Sequence, residues 1–282
     1  MMSETIDLNM LQKKVARAAD ELRSLQSVLV AFSGGVDSSV LLKLAMQTLG
    51  RDNTLAVTAQ GPLHPAWEKK QSQEIAQLIG SRHIFTSDHS CRVAEFVKNT
   101  AQRCYFCKKA LLQDLQNLAE EHQLRAVVAG ENADDQFDYR PGARAMSELG
   151  IRCPLKEAHI TKAEVRLLAR QWKLPNYDAP SSPCLATRIA YGQPITSELL
   201  AQIEQAEGLL LELGFKIVRV RVHGVVARIE VSPQEIQRFF DPALREQVLT
   251  RFRQLGFTYT SLDLAGYESG GLNKLIAPED RL

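Results

Sequence analysis

Val28-Leu-Val-Ala-Phe-Ser-Gly-Gly-Val-Asp-Ser-Ser39 is the stretch from which the fold is read. Its first five residues are short, apolar and β-branched, the composition of a buried strand. The glycine-serine turn then gives way to apolar residues at Val36, Val40, Leu41 and Leu44, the spacing of a helix running to Leu49. The same alternation continues outward. Leu55 to Thr58 is a second strand. Pro65 to Ile79 is a helix stopped by Gly80, His83 to Thr86 a third strand, and Ala126 to Ala129 a fourth, stopped by Gly130. Strand-helix alternation predicts an α/β fold, a doubly wound parallel sheet with helices on both faces. After about residue 190 the pattern changes to helix (196–213), two strands joined at His223-Gly224, two helices started at Ser232-Pro233 and Pro242, and a last strand from Phe257. This predicts a second, smaller α+β domain. The expected division is 1–190 and 191–282, at the Pro- and Ser-rich stretch Pro175 to Pro194.

In a parallel sheet, ligands bind beyond the carboxyl ends of the strands. The loop after the first strand is built for phosphate. Gly34 and Gly35 allow positive φ and turn backbone N–H groups outward. The helix that follows adds free N–H donors and the positive end of its dipole, and Ser33, Ser38 and Ser39 add hydroxyls. Asp37 has no place in a pure anion cradle and is assigned to Mg²⁺ bridging phosphate oxygens. Thr58 and Gly130, ending the second and fourth strands, complete the ATP-binding set. A Gly-Lys-Ser/Thr ending is lacking, so γ-phosphate transfer is not implied. Ser33-Gly-Gly-Val-Asp-Ser38 resembles the PP-loop of ATP pyrophosphatases, which implies cleavage of ATP to AMP and pyrophosphate with adenylation of a carbonyl or carboxyl oxygen.

Five cysteines in 282 residues are an odd number and read as thiols for ligation or catalysis, not as a disulfide framework. Cys104-Tyr-Phe-Cys107 heads a helical run to Leu118, and Cys184 lies in the proline-rich loop Pro180-Ser-Ser-Pro-Cys184, with Arg188 near enough to favour a thiolate. Three thiolates without a fourth point to an iron–sulfur cluster with one open iron. A redox dithiol and a zinc site completed by histidine stay open as competing readings. Cys91 and Cys153 have no partner spacing and read as ordinary semi-buried thiols.

Thirty-four Lys and Arg against thirty-three Asp and Glu leave a formal charge of +1. That argues against a dedicated nucleic-acid binder. No apolar run reaches the ~18–20 residues of a membrane span, and the N-terminus lacks a signal-peptide core. A cytoplasmic location and no membrane partner are expected.

Several further segments make the likeness specific. They are Arg103-Cys-Tyr-Phe-Cys-Lys108, Gly130-Glu-Asn-Ala-Asp-Asp135 continuing to Asp138-Tyr-Arg-Pro-Gly142, Pro154-Leu-Lys-Glu-Ala158, Thr161-Lys-Ala-Glu164, Cys184-Leu-Ala-Thr-Arg188 and Arg219-Val-Arg-Val222. With the PP-loop, and from about Leu22 to Asn273, the chain resembles the LarE family, ATP-dependent sulfur transferases of nickel-pincer nucleotide synthesis. The resemblance implies adenylation of the carboxylates of a pyridinium-3,5-biscarboxylic acid mononucleotide and their conversion to thiocarboxylates. It further implies that Cys104, Cys107 and Cys184 hold a 4Fe–4S cluster whose open iron carries the donor sulfide. In the single-cysteine branch, the residue matching Cys184 gives up its own sulfur instead. Catalytic roles fall to Cys184, Asp37 and Lys108. The substrate set is Arg188, Arg219, Arg221, Glu207 and Glu230, with Arg140 and Arg144 following the fourth strand. Arg219 and Arg221 alternate on one strand, so both guanidinium groups leave one face and suit a phosphate monoester. Lys162 and Arg166 are candidates to face ATP, whereas His64 and His223 are weak ones. Partners implied are the pyridinium mononucleotide, a sulfide or sulfur-carrier donor and further copies of the chain. At Glu268, after Gly266-Tyr267, the family commonly has a basic residue. The competing readings are a PP-loop tRNA-thiolating enzyme, an amide-forming synthetase and a nucleotide-sensing module. The first wants a basic surface, the second an ammonia source, and the last no catalysis.

Overall fold

The computed structural model describes residues 6–137, 141–180 and 182–268. Among them the helices are α1 (Leu8–Leu25), α2 (Val36–Leu49), α3 (Ala66–Ile79), α4 (Ala94–Val97), α5 (Arg103–Glu121), α6 (Pro141–Glu148), α7 (Pro154–Glu157), α8 (Lys162–Gln171), α9 (Ser197–Glu212) and α10 (Pro242–Gln254). The strands are β1 (Val28–Ala31), β2 (Thr54–Gln60), β3 (Arg82–Ser87), β4 (Ala126–Ala129), β5 (Val218–His223), β6 (Val226–Val231) and β7 (Tyr259–Leu262). The chain divides into two compact units, residues 1–89 with 104–182, and residues 90–103 with 183–282.

The first unit is a four-stranded parallel sheet in the order β3-β2-β1-β4. Successive side chains of a strand leave opposite faces, and both faces are apolar. Val28 and Val30 pack with Leu22 of α1, Val40 and Leu41 of α2 and Leu168 of α8. Leu29, Leu55 and Val57 pack on the other side with Leu112 and Leu115 of α5 and Met146 of α6. Burial on both faces explains why these strands read as continuous apolar runs. The helix ends follow their local signals. Gly80 closes α3 in the left-handed region at φ +82°, with its N–H and that of Ser81 on Ala76 O. Thr161 and Glu164 form a capping box at the start of α8. β2 and β3 lie on one side of β1 and β4 on the other. The strand order therefore reverses between β1 and β4, opening a crevice at their carboxyl ends.

The second unit holds a three-stranded sheet in the order β5-β6-β7, antiparallel then parallel. Gly224, at φ +58°, turns the β5–β6 hairpin. Val220 and Val222 of β5 and Leu200, Ile203 and Leu210 of α9 are buried. The helix expected from Ser232-Pro233 is instead a 3₁₀ turn, Pro233–Phe240. Asp241, held extended (ψ 121°) ahead of Pro242, cannot continue it. No described helix is long and apolar enough to cross a membrane.

Candidate functional site

The loop between β1 and α2 is tighter than two flexible glycines. Only Gly34 takes positive φ (+76°), while Gly35 is the extended N-cap of α2 at φ −72°. Ser39 Oγ donates to Gly35 O at 2.8 Å and is fully buried, and Ser38 Oγ donates to the same oxygen at 3.0 Å. Asn176 Nδ2 donates to Gly34 O (2.7 Å) and Ser39 Oγ (3.0 Å) from the loop after α8. Ser39 and Asn176 thus brace the turn from behind. Ser33 Oγ stands 3.2 Å from Ser38 Oγ on the front. The first N–H groups of α2 have no intrahelical acceptor, as at any helix start, and open toward an anion.

Asp37 sits in the first turn of α2. Its Oδ1 accepts from Asn132 Nδ2 at 3.0 Å, and its Oδ2 pairs with the Lys162 ammonium at the start of α8. Gly130 makes this possible. A Cβ there would lie 2.7 Å from Ser38 N and 2.8 Å from Ser38 Cα, so only glycine lets the end of β4 touch α2. Asp134 and Asp135 are caps. Asp134 Oδ2 accepts from Lys162 N (2.8 Å) and Asp135 Oδ2 from Asn132 N (3.0 Å). Arg166 donates to Ala179 O at 3.5 Å.

Beside the loop lies a cavity of about 250 Å³, lined by strand-end residues including Phe32, Ser33 and Gln60, by His64, and by Lys108 and Leu111 of α5. Thr58 also lines it. Its hydroxyl donates to Phe32 O (2.7 Å) and therefore accepts from His83 Nε2 (2.8 Å), fixing that tautomer. Burial lowers the His83 pKa below its ordinary value. His64 Nε2 meets the buried Asp88 carboxylate at 3.0 Å. On α5, Cys104, Lys108, Leu111 and Leu115 recur at spacings of four, three and four, one helical stripe. Lys108, Leu111 and Leu115 of this stripe line the cavity. Cys104, exposed, thus stands one turn beyond the cavity wall, with Cys107 half-buried beside it. A Cβ on Gly142 would lie 3.5 Å from Cys104 O and from Lys108 Cβ, so α6 starts close against this turn.

Arg144 is turned elsewhere. Its guanidinium stacks 3.8 Å over the Tyr105 ring and pairs with Glu148, whose carboxyl is held below its usual range chiefly by the Tyr105 hydroxyl and Lys109. Arg140, like Asp138, lies outside the described residues. Cys153 is buried in the apolar core, its thiol pushed up to about 12 by desolvation, and Cys91 is half-buried.

In the second unit the substrate candidates are assembled, but largely with one another. Arg188, 2% exposed, makes a bidentate pair with Glu207 (2.9 and 3.1 Å) and donates to Pro183 O (2.6 Å) and Cys184 O (3.2 Å). It therefore shapes the Cys184 loop through backbone carbonyls, its charge balanced by Glu207. Arg221 forms a second bidentate pair, with Glu230 (3.1 and 3.0 Å), and donates to Thr187 O. Arg219 reaches Val218 O and the face of Tyr267, and burial together with the nearby Arg188 lowers its pKa. His223 contacts Arg228, which also pairs with Glu230 and Asp263.

Among the described residues, no group of three or more His, Cys, Asp or Glu is gathered to hold a metal ion. For Mg²⁺ this donor set still fits, because that ion is commonly held by one or two carboxylates plus substrate phosphates, and Asp37 offers such a carboxylate. For a cluster the donor chemistry is right but not gathered within either unit. Cys104 and Cys107 belong to the first and Cys184 to the second. Asn132 and Asn176 escape a reading of the sequence. The one available signal is an asparagine two residues after the strand-closing Gly130.

A family model described as NAD synthase matches residues 8–129. An uncharacterized protein of Synechocystis sp. is 40% identical over 95% of this chain and 99% of its own length. The pyridinium-3,5-bisthiocarboxylic acid mononucleotide synthase of Lactiplantibacillus plantarum is 37% identical over 94% of this chain and 96% of its own. A glutamine-hydrolyzing GMP synthase component from Methanococcus maripaludis is 29% identical over 71% of this chain and 66% of its own.

Proposed function

We propose, because the chain belongs to the LarE family of ATP-dependent PP-loop enzymes, that it converts the carboxylates of pyridinium-3,5-biscarboxylic acid mononucleotide to thiocarboxylates. A carboxylate oxygen bonds to the α-phosphorus of ATP as pyrophosphate leaves. Sulfur then bonds to the acyl carbon as AMP leaves with that oxygen. Activation is needed because oxide is not a leaving group and AMP is. The observation that carries the reading is Asp37 at the start of α2, held by Asn132 and Lys162, in a loop whose Ser33 lines a cavity shared with Lys108 of α5.

The turn at Gly34 and the α2 N-terminus bind the phosphates. Mg²⁺ on Asp37 would neutralise charge there, and Lys162 is placed to turn from the carboxylate to a phosphate oxygen as the metal arrives. Lys108 stands where the thiol helix meets the cavity and holds the acyl phosphate toward the sulfur donor. Arg219 supplies the cation for the mononucleotide phosphate. Arg188, Arg221, Glu207 and Glu230 frame it.

For the sulfur, the reading is a 4Fe–4S cluster on Cys104, Cys107 and Cys184, which when bound would supply sulfur at the sulfide level. What supports it is three cysteines outside any disulfide, none of them fully buried. Reduced thiols in this number suit a reducing compartment, hence the cytoplasm. Replenishment from sulfide or a sulfur carrier and assembly into a homo-oligomer complete the proposal.

The test is anaerobic incubation with Mg-ATP and the biscarboxylic acid mononucleotide, with small molecules and intact protein followed by mass spectrometry. The expected result is AMP, pyrophosphate and thiocarboxylate with the protein mass unchanged. Loss of one hydrogen sulfide from the protein per product would replace the cluster by sacrifice of Cys184. Adenylation without any thiocarboxylate would overturn sulfur transfer.

A further inference from the structure

Asn176 lies in the loop after α8 and is 4% exposed. Its backbone is held on both sides. Leu174 belongs to the apolar core, and Ala179 N donates to Asn176 O at 3.2 Å. Its side-chain nitrogen is fully engaged. Nδ2 donates to Gly34 O at 2.7 Å and to Ser39 Oγ at 3.0 Å. Ser39 gives its own proton to Gly35 O, so its oxygen accepts from the amide. A carbonyl and a committed hydroxyl both need a donor, and this fixes which way the amide is turned. Its Oδ1 is buried without a hydrogen-bond partner among the described residues. Burying an unmet acceptor is costly, so what Asn176 contributes is its two donated bonds.

A trans peptide points its C=O and its N–H in opposite directions. With Gly34 O drawn back to Asn176, Gly35 N–H faces the other way. There it lies 3.3 Å from Ser33 Oγ, a residue of the cavity wall. That N–H is thereby offered to an anion. The reverse orientation is within reach. Turning this peptide by half a turn takes Gly35 φ from −72° to about +108°, a value that glycine alone adopts freely. A carbonyl oxygen would then face the phosphate in place of an N–H. The next peptide has no such freedom, because Gly35 O accepts from Ser39 N and from the Ser38 and Ser39 hydroxyls. We infer that Asn176 is a positioning residue for ATP, its bond to Gly34 O selecting the peptide orientation that turns Gly35 N–H toward the phosphates. The inference rests on the ATP-site reading above and adds the residue that sets the turn.

The test uses the whole protein. ATP binding with Mg²⁺ is measured by calorimetry in the wild type and in Asn176→Leu, which keeps the branching of the side chain but has no donor. Apparent affinity falls with the fraction of molecules whose turn is competent, so Asn176→Leu should bind ATP about five- to thirtyfold more weakly. The second variant, Asn176→Asp, is read by crystallography without nucleotide at about pH 8, where a carboxylate is ionised. An acceptor in place of the donor should reverse the peptide, with Gly34 O turned away from residue 176 and Gly35 N–H donating to the new carboxylate. A side chain that merely fills space would leave that peptide as it is. Asn176→Leu binding ATP as the wild type does overturns the inference, and so does an Asn176→Asp structure in which the Gly34 carbonyl has not moved. A wild type that does not bind ATP contradicts the ATP site itself, a different failure.

Discussion

Two sets of ion pairs differ in how they meet water. In the crevice of the parallel sheet, Asp37 and Lys162 pair with side chains 23% and 30% exposed. In the smaller unit, Arg188 and Glu207 pair at 2% and 10% exposure, and Arg221 and Glu230 at 6% and 4%. The first pair is open to solvent and to an incoming ion, so its members can change partners at little cost. The second and third are desolvated, bidentate and anchored to backbone, so breaking them strands a buried charge. The difference separates a pair open to exchange of partners from pairs fixed within the fold. The sequence offers all of these as candidate site residues, and burial sorts them.

That sorting is broken most severely at Arg188. Replacement by alanine leaves Glu207 buried without its partner and should cost about 3–5 kcal/mol of stability, read by urea unfolding. A loss below about 1 kcal/mol would show that the pair is not framework. Asp37→Ala should do the reverse. Pyrophosphate release should fall by roughly a thousandfold, the several kcal/mol that a metal contributes to charge stabilisation, with the urea midpoint nearly unchanged. Release at the wild-type rate would remove Asp37 from the metal role. Gly130→Ala tests the contact between β4 and α2 that brings Asn132 to Asp37. The added methyl meets Ser38 backbone at 2.7 Å and should cost about 1–3 kcal/mol, with a raised KM for ATP. The smallest effect concerns pH. Burial depresses the His83 pKa below its ordinary 6.5. Above 6.5 the ring is neutral folded and unfolded, and contributes nothing. Below it the unfolded chain takes a proton that the folded ring resists, so stability falls as pH drops. His83→Gln should flatten that part of the stability profile, and an unchanged slope would place the titration elsewhere.

The parallel sheet was legible because its signals are local. Val28 to Phe32, the glycine turn and the Val36-Val40-Leu44 spacing each specify an element within a few residues, and Gly80 and Gly130 mark the ends. What escaped depends on distant contacts. Asn176 reaches Gly34 from far along the chain, and an asparagine in a proline-rich loop carries no signal of that. The inclusion of Ser90–Arg103 in the second unit is equally silent. It depends on Asn99 Nδ2 donating to Ala190 O and Gln193 O, and on Arg103 over the Tyr191 ring. At the loop itself, the residue types were readable but not their division of labour. Ser39 looks like a phosphate donor in sequence, yet its hydroxyl is committed to Gly35 O and Asn176. Arg188 looks like a neighbour for a thiolate, yet it holds the loop carbonyls.

The most direct measurement follows one oxygen atom. With the acceptor carboxylates labelled with oxygen-18 and turnover run anaerobically with Mg-ATP, each thiocarboxylate formed should leave one labelled oxygen in the phosphate of AMP. Label found in pyrophosphate or orthophosphate, or AMP without label, would contradict an acyl-adenylate and with it the role assigned to the Asp37 crevice.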